Sequence, residues 1–173
     1  QSSTGGRLFI TDKFCIMHNT ATDTARRYGV TADPEPQRMT FPDRHDRPGD
    51  LSILPVRNPQ DLERFIRVPW SIYGDDSCWI APLIIERKEH LSTKNPYFRH
   101  ASWQAWVAFR NDKPVGRISA QVDRLRLERY QDATGLFGFI EADDDPAIFR
   151  LLLDTACDWL REQGMLRVQG PFN

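Results

Sequence analysis

Four carboxylates stand close together at Glu141, Asp143, Asp144 and Asp145, and Pro146 closes the run. Clustered acids can hold a hard divalent cation, and Mg²⁺ held this way would serve phosphate chemistry such as nucleotide pyrophosphohydrolysis. No Gly-rich signature and no histidine–aspartate pair accompanies them. Acids directly before a proline are also what opens a helix, because they accept its first N–H groups and favour the positive end of its dipole. That capping reading carries more weight, and Glu141 by itself reads as another helix-start acid. His18 and His45 lack Cys, Asp or Glu partners at ligand spacing and read as solvated surface. Cys15, Cys78 and Cys157 are scattered with no CxxC, the pattern of reduced cytosolic thiols. Arg124, Arg126 and Arg129 could grip a phosphate, but mixed charge among leucines is ordinarily a solvated face.

The elements that must position these groups are centred on residues 103–140. Trp103, Ala105, Val107 and Phe109 alternate with Gln104, Trp106, Ala108 and Arg110, the period of a strand. Turn formers at 111–114 predict a hairpin into a second strand over 115–123. There Gly116, Ile118, Ala120 and Val122 form a packing face. Arg117, Ser119, Gln121 and Asp123 form a polar face expected to meet water or a ligand. The apolar run 136–140 predicts a central third strand, with Gly138 as a bulge or a point of close backbone approach.

Upstream, residues 52–56 predict a short edge strand. Asn58-Pro59-Gln60-Asp61 is a capped helix start, with Leu62, Phe65 and Ile66 on the buried face and Pro69 expected to kink or end the helix. An aromatic corner at Trp70, Tyr73 and Trp79 precedes a second helical segment near 82–90. Downstream, Ile148, Leu152, Ala156 and Leu160 mark the longest helix, which stops at Gly164 before a strand over 165–169. Strand, long helix and strand form a crossover with parallel strands.

The chain has 173 residues, room for one ordinary domain, and 40% hydrophobic residues can supply its core. A net charge of −1 argues against a general nucleic-acid binder. No apolar run approaches the roughly 18 residues of a membrane span, so a cytoplasmic protein is expected. Residues 1–50, rich in Pro, Asp and Arg, read as a poorly ordered extension to a domain at 51–173. The chain starts at Gln1 and stops just after a strand, so a fragment lacking the C-terminal part of its fold is expected.

This order of elements resembles that of the GNAT superfamily of N-acetyltransferases, a mixed α/β (α+β) fold. The segments WSIYGDDSCWIAPL (70–83), NPYFRHASWQAWVAFRNDKPVGRISAQVD (95–123), GLFGFIEADDDPAIFRLLLDTACDWLREQG (135–164) and VQGPFN (168–173) are similar to an uncharacterised bacterial GNAT-like branch. The resemblance covers residues 51–173. It implies transfer of an acetyl or acyl group from acetyl-CoA or another acyl-CoA to the amine of a small molecule or protein. It implies that Gly138, Phe139 and Ile140 offer backbone groups to the donor, with the amide at the Gly138 bulge polarising the thioester carbonyl. It further implies that Glu141 is the base that deprotonates the amine.

In that superfamily the donor pyrophosphate sits on amides of a Q/R-x-x-G-x-G/A loop before the long helix. Here the loop is Glu141-Ala142-Asp143-Asp144-Asp145-Pro146, without glycine or arginine. A further reading is therefore a non-catalytic GNAT-like module of a longer protein, with the usable phosphate loop and the tyrosine acid beyond Asn173.

Overall fold

The computed structural model describes residues 15–16 and 51–172. Its strands are β1 (Cys15–Ile16), β2 (Leu51–Pro55), β3 (Ala101–Arg110), β4 (Lys113–Asp123), β5 (Thr134–Ala142) and β6 (Arg167–Gln169). They form one six-stranded sheet in the order β1-β6-β5-β4-β3-β2. The β2–β3, β3–β4 and β4–β5 pairs are antiparallel, β5–β6 is parallel, and β1 runs antiparallel to β6. His18 and His45, read as solvated surface, and nearly all of the N-terminal extension lie outside the described residues.

Helix α1 (Pro59–Tyr73) starts where Asn58 accepts the Asp61 N–H at 2.9 Å. It does not end at Pro69 but continues through it for another turn. A proline cannot donate to the carbonyl four residues back, so Phe65 O loses its intrahelical partner. Arg117 Nη1 replaces that donor at 2.9 Å. Helix α2 (Ile84–His90) and a 3₁₀ turn at Pro96–Arg99 lead into β3.

The segment after β4 is a short helix, α3 (Arg124–Tyr130), capped by Asp123 through the N–H groups of Leu125 and Arg126. Its arginines are held locally. Arg126 forks onto Asp132, and Arg124 donates to the Arg99 and His100 carbonyls.

Helix α4 (Pro146–Glu162) packs Ile148, Leu152, Ala156 and Leu160 against Ile118, Ala120 and Val122 of β4. Gly116 makes this approach possible: a Cβ there would lie 3.0 Å from Ala142, Ile148 and Leu152 atoms. The opposite face of the sheet is covered by α1, whose Phe65, Ile66 and Val68 pack on Ala105, Val107 and Phe139. Covering on both faces explains why most of the polar row of β4, expected to meet water or a ligand, does not meet water. Arg117, Ser119 and Gln121 are all buried.

Leu152→Ala is expected to cost about 2–5 kcal/mol, the transfer and cavity cost of a fully buried leucine. A lower urea midpoint with an unchanged m-value is the expected result. An unchanged midpoint would mean that α4 is not seated on the sheet as described.

Candidate active site

The centre of interest is an irregularity in β5. Ser119 pairs with Gly138 and Arg117 pairs with Glu141, so Ile118 alone faces both Phe139 and Ile140. One strand carries an extra residue, which is a β-bulge. Phe139 takes the strain with φ +48°, a left-handed conformation costing a bulky side chain roughly 1–2 kcal/mol. The extra residue thus lies at Phe139–Ile140, one position beyond the glycine expected to mark it; Gly138 itself keeps its place in the ladder.

Packing holds the strained residue. The Phe139 ring lies 5.9 Å from Phe65, 6.3 Å from His90 of α2 and 5.5 Å from the Arg117 guanidinium. Small changes there are resisted from three sides.

On the β6 side the ladder is short. Thr134, Gly135 and Leu136 pair with Arg167, Val168 and Gln169, and Phe137 O then accepts the Phe172 N–H at 2.7 Å. Beyond that point β5 pairs with Ser119, Arg117 and Gly116 of β4. The bulge therefore sits just past the point where the β5–β6 pairing ends.

Glu141 closes the group. Arg117 Nε donates to Glu141 Oε2 at 2.6 Å, and Nη2 lies 2.5 Å from the same oxygen. Arg117 is 8% exposed and also stacks on the Phe65 ring at 5.0 Å. Burial pulls its guanidinium below the ordinary value, and the Glu141 charge works against that shift. Of the residues expected at the site, the structure brings together Gly138, Phe139, Ile140 and Glu141. It adds Arg117 and Phe65, which sequence reasoning missed. The available signal was indirect: a lone arginine on an otherwise small polar face, and a proline four residues after Phe65.

A second titratable group lies toward the other end of β4. His100 Nδ1 is 3.0 Å from Asp123, while burial and the Asp123 charge push the Tyr97 hydroxyl up to about 12. Asp123 is committed to capping α3, so this group reads as structural.

The acid run before α4 is tied up internally. Asp145 Oδ1 accepts the Ala147 N–H at 2.8 Å, and Asp145 Oδ2 pairs with Arg110 Nη2 at 2.6 Å. Five of the six N–H groups from Asp143 to Phe149 already have acceptors in the chain: those of Asp143, Asp145, Ala147, Ile148 and Phe149. Pro146 has none to give. These residues do not fit the diphosphate of acyl-CoA. Among the described residues no group of three or more His, Cys, Asp or Glu side chains is gathered as for a metal ion, and no helix is long and apolar enough to cross a membrane. Cys78 is a free, exposed thiol.

The element order, the bulged β5 and the parallel β5–α4–β6 unit define a mixed α/β domain, with the order of elements expected from the GNAT resemblance. The chain is 53% identical over 116 residues to Protein YghO of Escherichia coli (strain K12), covering 67% of this chain and 30% of that protein. It is 46% identical over 126 residues to a bacterial ceramide synthase of Caulobacter vibrioides, covering 72% of this chain and 33% of that protein. It therefore spans about a third of the length of these relatives. No family model matches the chain. Among solved structures, an aminoglycoside acetyltransferase from an uncultured soil metagenomic sample aligns with TM-score 0.46 and 20% identity, over 69% of this chain and 76% of that one. A GNAT-family acetyltransferase from Staphylococcus aureus aligns with TM-score 0.43 and 16% identity, over 66% and 69%.

Proposed function

We propose that this domain takes part in N-acyl transfer, moving an acyl group from a thioester to an amine. The observation that carries the reading is the bulge at Phe139–Ile140, set just past the end of the β5–β6 pairing with Glu141 beside it. A bulge turns backbone N–H groups out of the ladder, and such a group can stabilise charge developing on an acyl oxygen. Arg117 holds Glu141 through Oε2, leaving Oε1 as the atom to take the proton of the attacking amine. The polarising role of the amide near Gly138, the donor contacts of Phe139 and Ile140, and the base role of Glu141 all belong to this proposal. So does a cytoplasmic setting.

One relative's name narrows the acceptor. A ceramide is an amide of a long-chain amino alcohol, so a ceramide synthase forms an amide on an amine of that class. We take a long-chain amino alcohol as the first acceptor to test. With it and an acyl thioester, thiol release that depends on the amine, matched by the amide in mass spectra, is expected. Thiol release without dependence on any amine would remove the transferase reading.

A second reading has its own observation. The occupied start of α4, in a chain about one third the length of its relatives, suits a non-catalytic module of a longer protein. In that case the full-length protein would turn over and retain its rate when Glu141 is changed.

A further inference from the structure

We infer that Asp145, anchored by Arg110, is a built-in substitute for the donor's diphosphate, so that this domain recognises a thioester donor without its nucleotide end. The inference rests on the acyl-transfer reading for the donor's class, but not for the closed seat. A helix N-terminus attracts an anion through its unpaired N–H groups and its dipole. Both attractions are already used at α4. The carboxylate of Asp145 is bonded to the Ala147 N–H, and its main-chain oxygen accepts from Ile148 and Phe149 at 3.1 and 3.3 Å.

The charge is answered as well. Arg110, the last residue of β3, reaches across to Asp145 at 2.6 Å, and the pair is partly buried, with side-chain exposures of 35% and 17%. An incoming diphosphate would have to displace a carboxylate that is bonded on both oxygens. It would also meet Asp143 and Asp144 beside it. Pro146 removes the one further N–H that a different loop would offer. By contrast, the β5–β6 ladder ends at Leu136 and Phe137, just before the bulge, and this is the stretch proposed to meet the pantetheine arm of a donor. Specificity of this kind comes from a repulsive element as much as from an attractive one.

Two measurements test the inference on the 173-residue chain. The first is calorimetry with adenosine 3′,5′-bisphosphate, the nucleotide part of CoA, which needs no turnover. No binding is expected tighter than about 1 mM. Asp145→Ser keeps a capping oxygen but removes the charge, and it is expected to raise affinity for this nucleotide at least about tenfold. Tight binding by the unmodified chain overturns the inference wherever the nucleotide sits. No gain in the variant removes Asp145 as the closing group.

The second measurement compares kcat/KM for one acyl group carried on CoA and on pantetheine. Values within about threefold of each other are expected, because a seat that is filled contributes nothing to the transition state. A preference for CoA above about thirtyfold, some 2 kcal/mol, overturns the inference. If neither donor is used, the acyl-transfer reading fails, and the calorimetry still decides whether the seat is closed.

Discussion

Replacing Arg117 with alanine is expected to destabilise the domain by about 3–5 kcal/mol, more than any other single change at the site. The reason is what the guanidinium leaves behind. Glu141 would keep a partly buried carboxylate with no counter-charge at 2.5–2.6 Å. Phe65 O, already deprived of its helical donor by Pro69, would lose its replacement. The stacking on Phe65 and Phe139 would go too, and with it part of the support for the strained bulge. Urea unfolding followed by far-UV circular dichroism measures the loss. A double change of Arg117 and Glu141 to methionine and leucine should recover much of it, since no charge is then left unpaired. If Arg117→Ala lowers the unfolding free energy by less than about 1 kcal/mol, the pair is a surface-type bridge and does not hold the bulge.

The second large effect is on turnover. Glu141→Gln is expected to lower kcat about a hundred- to ten-thousand-fold, the usual worth of a general base. Its effect on stability should be smaller than that of Arg117→Ala, because the glutamine oxygen still accepts from Arg117 while the amide removes the proton-accepting carboxylate. The contrast between the two variants separates the roles. A kcat within about threefold of the unmodified protein would leave Glu141 only as the structural partner of Arg117. A loss of turnover that tracks the loss of folded protein would say the same.

The local sequence carried most of the element order. Alternation in residues 103–123 and the four-residue spacing of Ile148, Leu152, Ala156 and Leu160 reflect burial that every strand or helix of that kind must have. Capping by Asn58 and Asp145 was legible for the same reason: the donor lies within three residues of the cap, so sequence distance and spatial distance agree. The occupied start of α4 could likewise be anticipated from Asp145-Pro146, although its anchor Arg110 could not.

Only the tertiary structure decided the rest. Pro69 reads locally as a kink or an end of the helix; tertiary packing carries α1 across it, with an arginine 48 positions later along the chain, Arg117, supplying the missing donor. The polar row of β4 reads locally as facing water or a ligand, but covering the sheet on both faces buries Arg117, Ser119 and Gln121. The bulge falls on Phe139–Ile140 rather than on Gly138, because the register against β4, and not glycine's freedom, sets which residue is extra. Patterns that repeat along the chain are dictated by the chain itself. Where a charge is answered and which residue is strained depend on partners brought together from far apart, and no local spacing records that meeting.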